Sequence, residues 1–222
     1  QVFILTESLF SMDGDTPAIT EMASLAKKYD AQLIIDEAHA IGVFGSNGAG
    51  LVPPECKEHV IITGSFGKAL ASQGGFVAAN RRICDLLVNK ARTFIFDTAL
   101  SPVSAAAASA AVLWIQQNAQ LRAEFLSKIT CFRHKLQSSG FNIKGTSQIV
   151  PLIVGENKQA LKMQQLLIEN GFFLAAVRTP TVPKGSARLR CSLRADIELH
   201  DLDRLGQVLS NLKFVDHALH ET

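Results

Sequence analysis

The 222-residue sequence has only four cysteines, one tryptophan and one tyrosine, and its formal net charge is just +2. The cysteines are far apart and form no C-x-x-C pair, at positions Cys56, Cys84, Cys131 and Cys191. This spacing argues against a disulfide framework or a zinc site and favours a reducing cytoplasm. Because lysines and arginines are scattered rather than arranged in a stripe, we predict no nucleic-acid partner.

The sequence also lacks a long run of purely apolar residues. Residues 98–121 carry no charge, but serine, proline, glutamine and asparagine interrupt them, which favours a packed, alanine-rich helix over a membrane span. There is no signal-peptide pattern, and we predict no membrane partner. The first residue is Gln1, and Val2–Thr6 has the pattern of the middle of a buried strand, so we expect the chain to be part of a longer protein.

The sequence patterns predict an α/β fold. Uniformly apolar segments are typical of parallel strands covered on both faces, and they occupy residues 2–6, 33–36, 60–63 and 75–79. Helices are predicted at 16–29 with Pro17 in first position, at 81–90, at 101–117 and on to about 137. After Gly140 the elements are shorter, with strands at 148–154, 172–175 and 187–192 and helices at 158–170 and 198–212. We therefore predict that residues 1–118 belong to a large, mostly parallel α/β domain and residues 119–222 to a smaller α+β domain.

A first group of reactive residues follows the apolar segment Leu33-Ile34-Ile35. Asp36 stands at the end of this predicted strand, where ligands bind in open α/β sheets. From Asp36 alone, a helix N-cap or a metal-binding acid is an equally good interpretation. His39 comes three positions later and can reach the same side only if the strand ends near Asp36. Glu37 is interpreted as a salt-bridged or solvated acid.

A second group of reactive residues closes the segment Ile62–Ala69. Lys68 follows a predicted strand and two glycines, where its amine is placed to act as a nucleophile, although a solvent-pointing lysine is the commoner case. Ser65 and the glycine amides are suited to hold a phosphate. The Asp-Glu-Ala-His box and the Gly-Lys pair also suggest a nucleotide triphosphatase. We reject this because the P-loop pattern requires glycine and a hydroxyl residue where Ile62 and Ala69 stand.

A third group contains three arginines within thirteen residues, namely Arg178, Arg188 and Arg190. Guanidinium groups match carboxylates in a bidentate manner, so the cluster predicts a carboxylate clamp. Along a strand, Arg188 and Arg190 share one face. The alternative is a set of surface arginines flanking a loop.

Taken together, these segments resemble the α-oxoamine synthases. The matching segments, in family order from end to end, are Thr6–Asp15, Asp36-Glu37-Ala38-His39 with Gly42 and Gly45, Gly64–Leu70, Phe94–Pro102, Pro180–Pro183 and Arg188-Leu189-Arg190. The resemblance implies a fold-type-I pyridoxal-phosphate transferase, represented by the C-terminal part of its large domain and the small domain. It also implies an enzyme that joins an amino acid to an acyl thioester with loss of CO2.

The resemblance further implies pyridoxal 5'-phosphate as the cofactor. Lys68 would be the lysine that binds the cofactor aldehyde. Asp36 would pair with the pyridine nitrogen and keep the ring protonated as an electron sink. His39 would bond the phenolic oxygen, Ser65 would bind the phosphate, and Ser11 would lie against the cofactor.

Substrate and partner residues are carried over in the same way. Arg190 would bind the amino-acid carboxylate, with Arg178 and Thr181 beside it. Thr98 would reach the phosphate of a neighbouring subunit, so we expect a cytoplasmic homodimer with shared active sites.

The sequence departs from the family pattern at three places. Ile197 stands near a usual histidine, Asp97 replaces a common hydroxyl residue, and Ala71-Ser72-Gln73 replaces a more glycine-rich stretch. These departures leave two alternatives open. One is a relative that uses glycine or serine, and the other is a non-catalytic homologue that serves as a dimerisation module.

Overall fold

The computed structural model describes residues 2–57 and 59–220, without the side chains of residues 213–220. The chain divides into two compact units. The first contains the described residues up to Phe10 together with Thr16–Arg122, and the second contains Ser11–Asp15 and the residues from Ala123 onward. The division after Arg122 lies four residues beyond the predicted boundary at 118. The assignment of Ser11–Asp15 to the second unit was not predicted.

The first unit is built on a four-stranded sheet in the order β1-β2-β3-β4. Its strands are β1 (Phe3–Glu7), β2 (Gln32–Asp36), β3 (Val60–Ser65) and β4 (Gly75–Ala78). The first three are parallel, and β4 runs antiparallel to β3. The parallel direction predicted for β4 is therefore wrong. The connection of nine residues (66–74) between β3 and β4 is too short for the crossover that a parallel strand requires.

Helices α1 (Ile19–Lys28), α2 (Arg81–Lys90), α3 (Arg92–Ile95) and α4 (Pro102–Gln117) complete the first unit. The prediction that α1 starts at Thr16-Pro17 is wrong, because the amide of Ile19 bonds the Pro17 carbonyl and the helix begins at Ile19. For α4, proline does occupy the first turn, where no amide donor is needed. The short helix α3 was not predicted.

The core of the first unit lies along alternate positions of β2 and β3. Leu33, Ile35, Val60 and Ile62 are buried together with residues of α1. Within the described residues, Phe3 and Leu5 of strand β1 are 52% and 72% exposed. Since β1 is the edge strand of this sheet and no described segment covers that face, the expectation of a strand buried on both faces stays a prediction for β1.

The second unit contains an antiparallel sheet in the order β5-β7-β6. Its strands are β5 (Ile149–Gly155), β6 (Ala175–Val177) and β7 (Ala187–Ser192). Its helices are α6 (Asn157–Glu169), α7 (Leu199–His220) and the part of α5 (Ala119–Ser138) from Ala123 onward. The central strand β7 is buried on both faces from Ala187 to Leu189. The predicted strand at 172–175 is displaced, since β6 starts only at Ala175. Across the described residues, no helix is both long and apolar enough to cross a membrane.

One test of this packing uses the cysteines. Burial within β7 raises the pKa of the Cys191 thiol to about 12, against a smaller opposing effect of Arg190. At pH 8 only about one thiol in ten thousand would then be the reactive thiolate. We expect iodoacetamide to label exposed Cys131 in the native protein and to label Cys191 only after unfolding in urea. Peptide mass spectrometry measures both, and rapid labelling of native Cys191 would contradict the buried position of β7.

Candidate functional site

The carboxyl ends of β1, β2 and β3 form one edge of the first sheet. Glu7, Asp36 and Thr63 are paired across this edge, so the polar residues that follow the three strands emerge at the same place. Asp36 is exposed, and its Oδ1 accepts a hydrogen bond from the Ala38 amide at 2.7 Å. This leaves Oδ2 without a recorded partner among the described residues.

His39 lies in the turn that follows Asp36. The strand β2 ends at Asp36, and the amides of Ala40 and Ile41 both donate to the Glu37 carbonyl at 2.9 Å. The strict alternation that would turn His39 away therefore stops before His39 is reached. The sequence analysis predicted that Asp36 and His39 can lie at one edge only if the strand ends near Asp36, and the strand does end there.

Glu37 does not lie at the surface, and its interpretation as a salt-bridged or solvated acid is wrong. Its side chain is 0% exposed. The carboxylate accepts hydrogen bonds from the Ser8 hydroxyl at 2.8 Å, from the Val52 amide at 2.6 Å and from the Leu51 amide at 2.9 and 3.0 Å. These bonds join the ends of β1 and β2 to the loop after Gly50. No local pattern around Glu37 indicates this role, because the donors come from distant segments.

Lys68 lies in a tight turn between β3 and β4. The Phe66 amide donates to the Gly74 carbonyl at 2.9 Å, and the Ser72 amide donates to the Phe66 carbonyl at 2.8 Å. The Ser72 hydroxyl also donates to the Ser104 carbonyl of α4 at 2.7 Å. The backbone of Lys68 is therefore held in place while its side chain is exposed.

Two features of this turn bear on the sequence departures and on phosphate binding. Ala71 has a φ of +48°, a left-handed conformation that costs roughly 1–2 kcal/mol with a Cβ, in the stretch where the family is richer in glycine. The Ser65 hydroxyl oxygen accepts from the Gly67 amide at 3.0 Å, so its own proton remains free to donate to a ligand.

Thr98 is exposed in the irregular segment between α3 and α4. Its amide donates to Oδ1 of Asp97 at 2.9 Å. The Asp97 carboxylate thus accepts a hydrogen bond from the backbone of the next residue. Around it, Phe94 and Phe96 are exposed, so this segment presents an apolar surface within the first unit.

The second unit brings Ser11 and Arg190 together. Nε of Arg190 donates to the Ser11 carbonyl at 2.6 Å. Burial lowers the pKa of Arg190, with a smaller opposing effect from Cys191. The remaining nitrogens of this guanidinium have no recorded bond to the described residues, so they are available for a carboxylate.

Arg188 has a different role from the one predicted. It is 2% exposed and forms an ion pair with Asp13, and it also donates to the Met12 carbonyl at 3.3 Å. Its charge is thus used inside the protein, which excludes Arg188 from the three-arginine clamp. The same-face prediction for Arg188 and Arg190 agrees with this arrangement, since both bond the segment Ser11–Asp15.

Arg178 and Thr181 lie in one exposed loop after β6. The Val182 amide donates to the Arg178 carbonyl at 3.3 Å, which closes the loop. Among the predicted site residues, the structure thus places Asp36, His39, Ser65, Lys68 and Thr98 in the first unit and Ser11, Arg178, Thr181 and Arg190 in the second.

The comparison with known families identifies the family of this chain. The model of the family "Aminotransferase class I and II" matches residues 1–209. The chain belongs to this family. An 8-amino-7-oxononanoate synthase of Chlorobaculum parvum is 41% identical over 215 residues, which are 96% of this chain and 55% of that protein.

Solved structures agree with this assignment. A serine palmitoyltransferase from S. paucimobilis, solved with pyridoxal phosphate and myriocin bound, is similar with a TM-score of 0.89 and 27% identity, over 96% of this chain and 55% of that one. The 8-amino-7-oxononanoate synthase of Francisella tularensis is similar with a TM-score of 0.82 and 27% identity, over 98% and 64%. The predicted fold-type-I fold and the α-oxoamine synthase resemblance are confirmed.

Within this family, Thr6-Glu7-Ser8 before the Phe-Ser-Met-Asp-Gly-Asp run, together with the Asp-Glu-Ala-His box, resembles 8-amino-7-oxononanoate synthases most. The names of the curated relatives agree with this narrower prediction. The chain spans about half the length of the curated relatives that it matches.

Proposed function

We propose that the protein is an 8-amino-7-oxononanoate synthase of biotin biosynthesis. The reaction joins Cα of L-alanine to the thioester carbonyl carbon of pimeloyl-CoA or a pimeloyl-carrier protein. The C–S bond breaks to release the thiol, and the alanine carboxylate leaves as CO2. The observation that carries the proposal is Lys68, whose exposed amine stands on a fixed turn at the sheet edge that also bears Asp36.

The residues at this edge fit pyridoxal 5'-phosphate. Asp36 has an oxygen available for the ring nitrogen, and Ser65 has a free hydroxyl proton for the phosphate. Gly67 leaves the space beside Ser65 open, since a Cβ there would lie 3.4 Å from the Ser65 hydroxyl oxygen. When bound, the cofactor supplies an aldehyde that captures amines and a protonated ring that withdraws electrons.

The proposed roles of the residues draw on these contacts and on the family resemblance. Nζ of Lys68 removes the proton from Cα of alanine and later returns a proton to the product carbon. When the cofactor is bound, the Asp36 carboxylate would keep the ring nitrogen protonated, and His39 would donate to the phenolic oxygen. Arg190 binds the substrate carboxylate through the guanidinium nitrogens that Ser11 leaves free.

The proposal includes a cytoplasmic homodimer with shared active sites. The exposed aromatic residues around Thr98 support it, because an apolar surface of this kind is typical of an interface. In the dimer, Thr98 would donate to the cofactor phosphate of the other subunit, and Ser11 would contact the cofactor ring.

Labelling and turnover test this function in the full-length protein. Borohydride reduction with pyridoxal phosphate should place the pyridoxyl label on the peptide that contains Lys68. In assays of alanine, glycine and serine against several acyl thioesters, alanine with pimeloyl thioester should give the highest kcat/KM.

The outcomes separate the alternatives. A label on Lys68 without turnover of alanine would favour a glycine C-acetyltransferase, a 5-aminolevulinate synthase or a serine palmitoyltransferase-like enzyme. Absence of the label from Lys68 would refute the enzyme assignment and favour a non-catalytic dimerisation module, which the departures at Asp97 and Ile197 first suggested.

A further inference from the structure

The buried acid Glu37 is adjacent to Asp36 but faces the protein interior. Ser8 connects the two residues, since its amide donates to the Asp36 carbonyl at 2.9 Å and its hydroxyl donates to the Glu37 carboxylate at 2.8 Å. Ser8 is itself fully buried. Ser8, the residue after β1, therefore holds this segment by two hydrogen bonds, one to the backbone of Asp36 and one to the side chain of Glu37.

The backbone of Glu37 also defines the turn that bears His39. Its amide donates to the Thr63 carbonyl of β3 at 2.8 Å, and its carbonyl accepts from Ala40 and Ile41. A rotation of the Glu37 peptide would consequently move Asp36 on one side and His39 on the other.

The loop around Gly50 is shaped to receive the Glu37 carboxylate. A Cβ at Gly50 would lie 2.5 Å from Oε2 of Glu37, and the φ of Gly50 is +94°. A side chain at position 50 would therefore expel the carboxylate, and the two amides that follow, of Leu51 and Val52, would lose their acceptor. Burial of these donors without an acceptor is unfavourable, so the contact sets the position of the loop as well.

We infer that Glu37 is a positioning residue that orients Asp36 and His39 toward the cofactor by serving as a hydrogen-bond acceptor for Ser8, Leu51 and Val52. This inference rests on the proposed function, because it concerns residues assigned to the cofactor. The role depends on acceptor geometry rather than on charge. A glutamine can replace Glu37, since its carbonyl oxygen can accept from both amides while the Ser8 hydroxyl reverses and accepts from the side-chain NH2.

The test compares Glu37→Met, Glu37→Gln and Val60→Ala in the full-length protein. Val60 is the matched control, because it is buried at the opposite end of β3 and has no polar side-chain contact. Three quantities are measured: the Kd for pyridoxal phosphate, the pH titration of the bound cofactor's absorbance, and hydrogen exchange of residues 37–44 without cofactor.

We expect Glu37→Met to bind the cofactor about ten-fold more weakly. This is the lower end of the loss in metal affinity, about 10–100-fold, that follows when the hydrogen-bond partner of a metal-binding side chain is removed. Its absorbance titration should shift, and exchange in residues 37–44 should accelerate. Glu37→Gln should restore most of the wild-type values. Val60→Ala should lower Tm and leave all three quantities unchanged.

Wild-type values in a folded Glu37→Met variant would refute the inference, as would equal changes in Val60→Ala. Should Glu37→Met fail to fold, Ser8→Ala decides, since it removes one donor to the Glu37 carboxylate and should shift the titration away from the wild-type value. An unshifted titration of Ser8→Ala also refutes the inference. Failure of the wild-type protein to show any cofactor absorbance would instead refute the proposed function and, with it, this inference.

Discussion

Replacing Lys68 by alanine should abolish turnover and cofactor labelling while leaving the fold intact. The proposed function gives the amine two roles in the full-length protein, capture of the cofactor aldehyde and transfer of the substrate α-proton, so we expect kcat to fall by at least about 1,000-fold, equivalent to roughly 4 kcal/mol. Because the side chain is exposed and the turn is held by backbone bonds, the free energy of unfolding should change by only about 0.5 kcal/mol. Steady-state kinetics and thermal unfolding measure the two effects.

Lys90 provides the matched control for this variant. It is an exposed lysine in the same unit, at the end of α2, and it is not among the residues proposed to bind cofactor or substrate. Lys90→Ala should retain wild-type kcat. If Lys68→Ala kept more than a tenth of the wild-type kcat, Lys68 would not be the base, whatever its effect on cofactor binding.

Replacing Arg133 by methionine should produce the largest loss of stability. The buried guanidinium on α5 donates to the carbonyls of Lys144, Gly145, Ser147 and Ile149. Burial lowers its pKa. Methionine fills a similar space but supplies no donor, and each carbonyl left buried without a partner costs about 1–3 kcal/mol. Allowing for relaxation, we expect a loss of about 3–5 kcal/mol and a Tm lower by roughly 10 °C.

Lys135 on the same helix is the control for Arg133. Its amine pairs with Asp203 at 2.7 Å in an exposed position. Exposed ion pairs of this kind contribute about 0–1 kcal/mol, so Lys135→Met should change Tm by only a few degrees. Circular dichroism follows both variants, and limited proteolysis at residues 144–149 should be faster only in Arg133→Met. Equal melting of the two variants would show that the Arg133 bonds contribute little.

Local patterns predicted the elements that contain strong signals. The apolar segment before Asp36 is a strand in the structure, and Ser101 directly precedes a helix whose first residue is Pro102. These elements depend on hydrophobicity and on the position of proline within a few residues of each other, and such information is present in the sequence. The start of α1 was missed, because Pro17 is equally acceptable in the extended segment that precedes the helix.

The direction of a strand and the burial of its faces were harder to predict from the sequence. The direction of β4 depends on the length of the turn that holds Lys68, and the exposed face of β1 depends on which segments cover the sheet. Both are properties of neighbours in space. The same reason explains Glu37, whose acceptor role is defined by Ser8, 29 positions earlier, and by amides 14 and 15 positions later.

The family, the α/β fold and the candidate residues for cofactor and substrate could be predicted from the sequence, because residue types and their spacing carry that information. How these residues are held depends on contacts that only the folded chain makes. It assigned Arg188 to Asp13, 175 positions away, and left Arg190 with nitrogens available for a substrate. It also placed Ser11 in the second unit with Arg190. Contacts between distant segments follow from the packing of the whole chain, and no local pattern specifies them.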